Sequence, residues 1–296
     1  VVPELASRAH QANIIPVVQQ ALSIANIDKK QLSAIAYTQG PGLLGSLLVG
    51  SSFAKSMALS LNIPIINVNH MQAHLLCHYI LNKEKKPPSF PFLGVTLSGG
   101  HTQLVYVKNH FDMEEIGKTR DDAIGEAFDK CGKIMGLLYP SGPEIDRLAK
   151  KGNPDAFTFP IPKVECLDLS YSGLKTAFIN LVNKNINKNP NFIYENLNDL
   201  CASIQKTLVA VIMEKIIIAK EKFNLNNVVI GGGVAANSEI RKILKQKAKE
   251  NQWEVFLPPF EYTTDNAAMI GIVGYQKLLN QQLGTLNQPV STKLPF

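Results

Sequence analysis

Apolar residues recur at helical spacing at Ile14, Val17, Val18 and Leu22, which predicts an opening helix. A strand-like run at 34–37 follows, then a Gly-rich turn, an apolar helix over 46–61 and a second strand over 64–68. Strand, turn, helix and strand in that order is the grammar of α/β proteins. Runs at 93–97 and 103–107 flank Ser98-Gly99-Gly100-His101-Thr102 and predict a hairpin with a two-glycine turn. The pattern starts a new lobe at this hairpin, because the stretch 83–91 before it is a Lys- and Pro-rich connector. The segment 183–198 is rich in Asn and Lys and poor in apolar residues, so it reads as a surface excursion. A long amphipathic helix is expected over 200–223, then a buried strand at 228–230 ending in Gly231-Gly232-Gly233, with Asn237-Ser238-Glu239 opening the next helix. The sequence shows no internal repeat and no low-complexity segment.

With 296 residues, 45% hydrophobic and 18% charged, the chain can bury a large core, at a size where one core commonly becomes two. Two lobes are therefore expected: 1–92 joined by a returning helix at 269–296, and 93–268. The segment 208–219, read as the most apolar, is broken by Glu214 and Lys215, so no membrane span is expected. The first residues lack a charged and an apolar signal region, which predicts a cytoplasmic protein. Cys77, Cys131, Cys166 and Cys201 are widely spaced, without a C-x-x-C pair, and read as reduced thiols. A net charge of +6 suits an acidic partner such as RNA, yet no Arg-rich run or basic-aromatic stripe accompanies it. The chain opens on Val1 rather than Met, which suggests a piece of a longer protein.

Several short patterns could carry chemistry. Gly40-Pro41-Gly42-Leu43-Leu44-Gly45 matches the dinucleotide fingerprint, but no Asp or Glu lies between Asp28 and Glu84 to hold a ribose. These glycines therefore read as a tight turn that lets the helix approach the sheet. His70 and His74 are four residues apart, so a helix starting there would put both imidazoles on one face, within reach of one cation. The zinc-protease general base is absent, since Met71 holds its position; His78 continues the same face and could equally be a ligand, with a structural role favoured. Ser98, Gly99, Gly100, His101 and Thr102 offer free backbone N–H groups, two hydroxyls and an imidazole at one turn, which suits a phosphate or acyl-phosphate better than an ordinary hairpin turn needs. The Gly231–Gly233 loop lets a nucleotide approach the backbone, and Asn237 could read it or cap the helix. Two separated Gly-rich turns on two lobes imply a cleft between them. Asp129 and Asp146 could accept from ribose hydroxyls or serve as caps, and Asp265 reads equally as an N-cap or a ligand. Spacing alone does not bring Asp265 to His70.

Taken together, Val2-Pro3-Glu4-Leu5-Ala6-Ser7-Arg8-Ala9-His10, the His70 and His74 pair, the Ser98 to Thr102 turn, Glu126-Ala127-Phe128-Asp129-Lys130, Ser172-Gly173-Leu174-Lys175-Thr176, the stretch 232–237 and Thr264-Asp265-Asn266-Ala267-Ala268-Met269 resemble the tRNA threonylcarbamoyltransferase family, formerly called O-sialoglycoprotein endopeptidases. The motifs occur in order along essentially the whole chain. The resemblance implies a two-lobed actin/sugar-kinase/Hsp70-type (ASKHA) α/β fold closing on a nucleotide, with the N-terminal strand hairpin and phosphate loop of the first lobe lying ahead of this sequence. It implies an acyltransferase that moves threonylcarbamoyl from its adenylate to the N6 amine of the adenosine beside the tRNA anticodon. It also implies that His70, His74 and Asp265 hold one divalent ion, Fe2+ before Zn2+, and act as a Lewis-acid site. Ser98, Gly99, Gly100, His101 and Thr102 would contact the acyl-phosphate, and Asp129, Gly142, Asp146 and Asn237 the adenosine part. The implied partners are tRNA, threonylcarbamoyl-adenylate, a paralogous ASKHA-fold subunit and a P-loop ATPase, with no membrane. The histidine motif reads HMQAH, with Gln72 where many members carry an acid.

No general base is identifiable from the sequence. A non-catalytic nucleotide-binding subunit of the same fold is the nearest alternative, and it would be expected to lack the histidine pair. A metalloprotease fails on Met71. A small-molecule kinase of this fold would need a catalytic Asp and gives the histidines no use.

Overall fold

In the computed structural model the described residues are 2–80 and 86–296; part of the Lys- and Pro-rich connector, 83–85, lies outside them. The chain divides into two compact units, Val1–Lys83 with Asn266–Phe296, and Glu84–Asp265.

The first unit opens with helix α1 (Pro3–Ala25), which starts on a Pro in its first turn and stops at Asn26 in the left-handed region (φ 52). Proline fits the first turn, where its missing N–H has no partner to lose, and Asn tolerates the left-handed cap. Strand β1 (Ile35–Gly40), helix α2 (Leu44–Leu61) and strand β2 (Ile65–Asn69) form a βαβ unit, with β1 and β2 parallel and Ile35 opposite Ile65. By length and composition α2 is the one helix, among the described residues, apolar enough to cross a membrane. The most membrane-like segment is thus α2 rather than 208–219. In this fold α2 packs on α1 and β1, and Lys55 near its middle donates to Gln288 O at 2.6 Å. Helix α3 (His70–Leu76) follows β2 directly, because Asn69 Oδ1 accepts the N–H groups of Met71 and Gln72 and turns strand into helix within one residue.

The second unit is built on a five-stranded sheet with order β5-β4-β3-β6-β7. Strands β3 (Phe92–Leu97), β4 (Thr102–Val107) and β5 (Met113–Lys118) form an antiparallel meander. Helices α4 (Ile124–Ile134), α5 (Gly142–Ala149), α6 (Ser172–Ile186) and α7 (Phe192–Lys222) come next. Strand β6 (Asn227–Gly231) then lies parallel to β3, and helix α8 (Ser238–Asn251) precedes β7 (Glu254–Phe256), which is parallel to β6. Every position of β3 and of β6 is buried, as expected for central strands covered on both faces. One core of Leu97, Phe128, Ile145, Tyr171, Phe178, Leu208 and Ile230 joins sheet and helices. The sequence reading of 183–198 as a surface excursion is corrected here. Its Asn-rich composition hides the end of α6 and the first turns of α7, whose apolar face includes buried Phe192. The second unit also begins before the hairpin, because Asn227 Nδ2 donates to Ser89 O at 2.9 Å and ties that segment in.

The chain re-enters the first unit with helix α9 (Ala267–Leu279), which packs on α3, β1 and β2. Lys277 donates to Asn67 O at 2.8 Å, and burial lowers its pKa. The tail continues along the strands, where Ser291 N donates to Gln39 O at 2.9 Å and Asn69 Nδ2 to Pro295 O at 2.7 Å.

Candidate active site

Strands β3 and β6 run parallel, with Thr96 opposite Gly231, so the turns that follow them leave the same edge of the sheet. From β3 the chain moves outward to β4 on one side, and from β6 to β7 on the other. In open α/β sheets ligands bind at such a switch of direction, beyond the carboxyl ends of the strands. The turns at 98–101 and 232–236 therefore belong to one site edge of the second unit, which corrects the expectation that the two Gly-rich turns sit on different lobes. Gly232 has φ +93, and a Cβ there would lie 2.4 Å from Leu97 O, so only glycine lets the two turns approach.

A circuit of contacts runs around this edge. Gly125, in the first turn of α4, donates to Ser98 O at 3.3 Å, and a Cβ on it would lie 2.7 Å from the same oxygen. Ile124 N donates to Thr102 Oγ1 at 2.8 Å. Further along α4, Asp129 Oδ1 accepts Ser141 N at 2.7 Å, which fixes the entry of α5 and so Gly142. On α5, Asp146 accepts from Ser238 N at 3.2 Å and Ser238 Oγ at 2.8 Å. Asn237 caps α8, accepting from Glu239 and Ile240, and donates to buried Gln205 at 2.8 Å. Arg241 Nε holds Ala235 O at 2.8 Å, and the loop closes through Gly232 on Leu97. Of the residues that the family resemblance implies for the substrate, Ser98, Thr102, Asp129, Asp146 and Asn237 make the ties of this circuit, and Gly142 follows the tie at Ser141.

The turn itself differs from expectation in one respect. The N–H groups of Gly100 and His101, expected to be free, donate to Ser98 Oγ at 3.4 and 2.9 Å. Thr102 is fully buried, its hydroxyl committed to Ile124. Gln205, Ser238, Gly125 and Arg241 were missed by sequence reasoning. Their partners lie far away or on crossing backbone, and no local pattern marks them.

In the first unit, His70 and His74 stand on α3 with ring centroids 4.7 Å apart. Asp265 immediately precedes Asn266, where that unit resumes, and α9 packs on α3. One ligand atom from each of His70, His74 and Asp265 lies within 4.8 Å of the others. Asp265 is not the N-cap of α9; Asn266 is, accepting Met269 N at 2.9 Å. Three donors bound about 2.1 Å from one ion sit within about 4 Å of each other, so this spacing is a small side-chain movement from ligation. Two imidazoles and a carboxylate suit Fe2+ or Zn2+. His78 lies outside this group. Cys77 is also nearby, with Sγ 3.2 Å from His74 O, but burial pushes its thiol up to about 12 and keeps it protonated at neutral pH.

The sheet with its Gly-rich edge, set in a two-unit α/β chain, defines a protein of the actin/sugar-kinase/Hsp70 fold class. The fold is similar to that of full-length HypF in the phosphate- and nucleotide-bound form, with TM-score 0.65 at 14% identity over 89% of this chain and 49% of that one. This chain thus spans about half the length of that HypF chain. The sequence profile of the tRNA N6-adenosine threonylcarbamoyltransferases matches residues 1–272. The protein of that name from Christiangramia forsetii is 54% identical over 100% of this chain and 87% of its own length. That from Riemerella anatipestifer is 52% identical over 99% and 86%. The chain belongs to the tRNA N6-adenosine threonylcarbamoyltransferase family, a family of transferases in tRNA modification. Membership favours the catalytic reading over the non-catalytic one.

Proposed function

We propose that this chain transfers threonylcarbamoyl from threonylcarbamoyl-adenylate to the N6 amine of the adenosine 3′ to the anticodon, in tRNAs reading codons that begin with A. The family match over residues 1–272 carries the reading. In the reaction the amine lone pair attacks the carbamoyl carbon, the bond from that carbon to the phosphate oxygen breaks, AMP leaves with the electron pair, and the amine loses a proton. An adenine amine is a weak nucleophile because its lone pair is delocalised into the ring. Stabilising charge on the departing phosphate therefore contributes more than a strong base would.

The chain's own groups fit that demand. Ser98, Gly99, Gly100, His101 and Thr102 bind the acyl-phosphate end, with His101 as an added donor and Thr102 contributing through the turn it anchors. Asp129, Gly142, Asp146 and Asn237 hold the adenosine part; each carboxylate has about four acceptor positions, so ribose hydroxyls can be accepted alongside the protein ties. His70, His74 and Asp265 would hold one divalent ion, Fe2+ before Zn2+, which when bound supplies a Lewis acid for polarising an acyl oxygen. The net charge of +6 supports tRNA as partner. A paralogous ASKHA-fold subunit and a P-loop ATPase complete the proposed assembly, in the cytoplasm.

The test is reconstitution of the full-length protein with those partners, threonylcarbamoyl-adenylate and tRNA. Formation of AMP and threonylcarbamoyl-tRNA in equal amounts is expected. AMP release without modified tRNA would contradict transfer.

A further inference from the structure

The motif Ser172-Gly173-Leu174-Lys175-Thr176 has no assigned role; its Ser172 and Lys175 bind Asp121 and Asp122. We infer that it anchors the 98–102 turn through Asp121, and that Asp121 is a positioning residue for the adenylate; this rests on the reading of that turn as an adenylate contact. The carboxylate of Asp121 lies on the segment between β5 and α4 and reaches the start of α6, 50 residues on. It accepts from Ser170 Oγ at 2.5 Å, Tyr171 N at 2.7 Å, Ser172 N at 3.2 Å and Ser172 Oγ at 2.7 Å. Helix α6 has no side-chain cap of its own, so Asp121 satisfies N–H groups that its first turn leaves open. Next to it, Asp122 pairs with Lys130 of α4 at 2.6 Å and with Lys175 of the motif at 3.0 Å.

The same segment grips the turn. Thr119 N donates to Thr102 O at 2.9 Å, Ile124 N to Thr102 Oγ1 at 2.8 Å, and Gly125 N to Ser98 O at 3.3 Å. Both ends of the 98–102 turn are therefore held by a seven-residue stretch, 119–125, whose far side is fixed to α6 by Asp121 and Asp122. Residues 118–120 add a short pairing with 168–169, where Arg120 N donates to Leu169 O at 2.9 Å. Loosening Asp121 frees the middle of this stretch and lets the turn shift relative to a bound phosphate, at a site where about 1 Å of misplacement is costly.

The experiment compares the Michaelis constants of full-length Asp121→Ala, Asp121→Asn and His101→Ala proteins in the reconstituted reaction. For Asp121→Ala, KM for threonylcarbamoyl-adenylate should rise about tenfold while KM for tRNA stays unchanged. Asp121→Asn should recover most of that loss, since its amide oxygen still accepts from Tyr171 N and Ser172 N. A purely structural residue would lower the active fraction, and so kcat, without moving either KM. An unchanged adenylate KM in Asp121→Ala beside a raised one in His101→Ala overturns the inference and leaves the reading of the turn intact. An unchanged adenylate KM in His101→Ala removes that reading and the inference with it. Should Asp121→Ala fail to fold, Ser172→Ala takes its place: about a threefold rise is expected, and no rise overturns the inference.

Discussion

The carboxylate of Asp146 takes two hydrogen bonds from Ser238, one from its backbone N–H at 3.2 Å and one from its hydroxyl at 2.8 Å, across 92 residues of sequence. This tie joins α5 to the start of α8 and so sets the distance between Gly142 and Asn237. Ser238→Ala removes the hydroxyl half. It should cost about 1 kcal/mol in urea unfolding and weaken AMP binding several-fold by calorimetry. Binding equal to wild type would mean that the tie does not shape the adenosine site.

Neighbouring glycines should respond differently to the same methyl group. Gly232→Ala places a Cβ 2.4 Å from Leu97 O at φ +93, whereas nothing lies within 4 Å of a Cβ at Gly233. Gly232→Ala should lose about 2 kcal/mol or more, and Gly233→Ala under about 1 kcal/mol. Equal melting temperatures for the two variants would contradict the close approach of the two turns.

Metal content tests the cluster apart from turnover. Protein purified without chelators should carry about one Fe or Zn per chain, and His74→Ala far less, by elemental analysis. Ligand imidazoles must be unprotonated to bind, so affinity should fall as pH is lowered. Full metal content in His74→Ala would place the ion elsewhere.

Acid stability carries a signature of the α4 and α6 ties. For Asp122, burial raises the pKa, but hydrogen bonds from Lys130 and Lys175 and their charges outweigh this and hold it below the usual carboxylate value. A group with a depressed folded pKa stabilises the fold above its unfolded pKa, about 3.9, and the contribution is lost as pH falls through the folded value. Stability should therefore decline below about pH 4, and the decline should be shallower in Asp122→Asn. Identical slopes in denaturant titrations at several pH values would exclude a contribution from Asp122.

Local features of this fold were legible in the sequence and long-range ones were not. The spacing of His70 and His74 fitted a helix starting after the strand, and the structure supplies that start, with Asn69 as its cap. The Gly99-Gly100 pair showed the hairpin turn. The approach of Asp265 to the histidines depends on α9 packing on α3, roughly 200 residues away, so only the family resemblance suggested it. Asn237 reads locally as a cap, and it is one, but its second bond goes to Gln205, 32 residues away on α7, which no local pattern connects to it. The Asn- and Lys-rich stretch at 183–198 misled for the opposite reason: exposed faces of α6 and α7 are polar enough to hide their helical period.

The most direct test of the central claim is nucleoside mass spectrometry of tRNA from cells depleted of the full-length gene product. Threonylcarbamoyl-adenosine should disappear, return with the wild-type gene and stay absent with a His70→Ala/His74→Ala double mutant. Normal levels of the modified nucleoside in depleted cells would contradict the account.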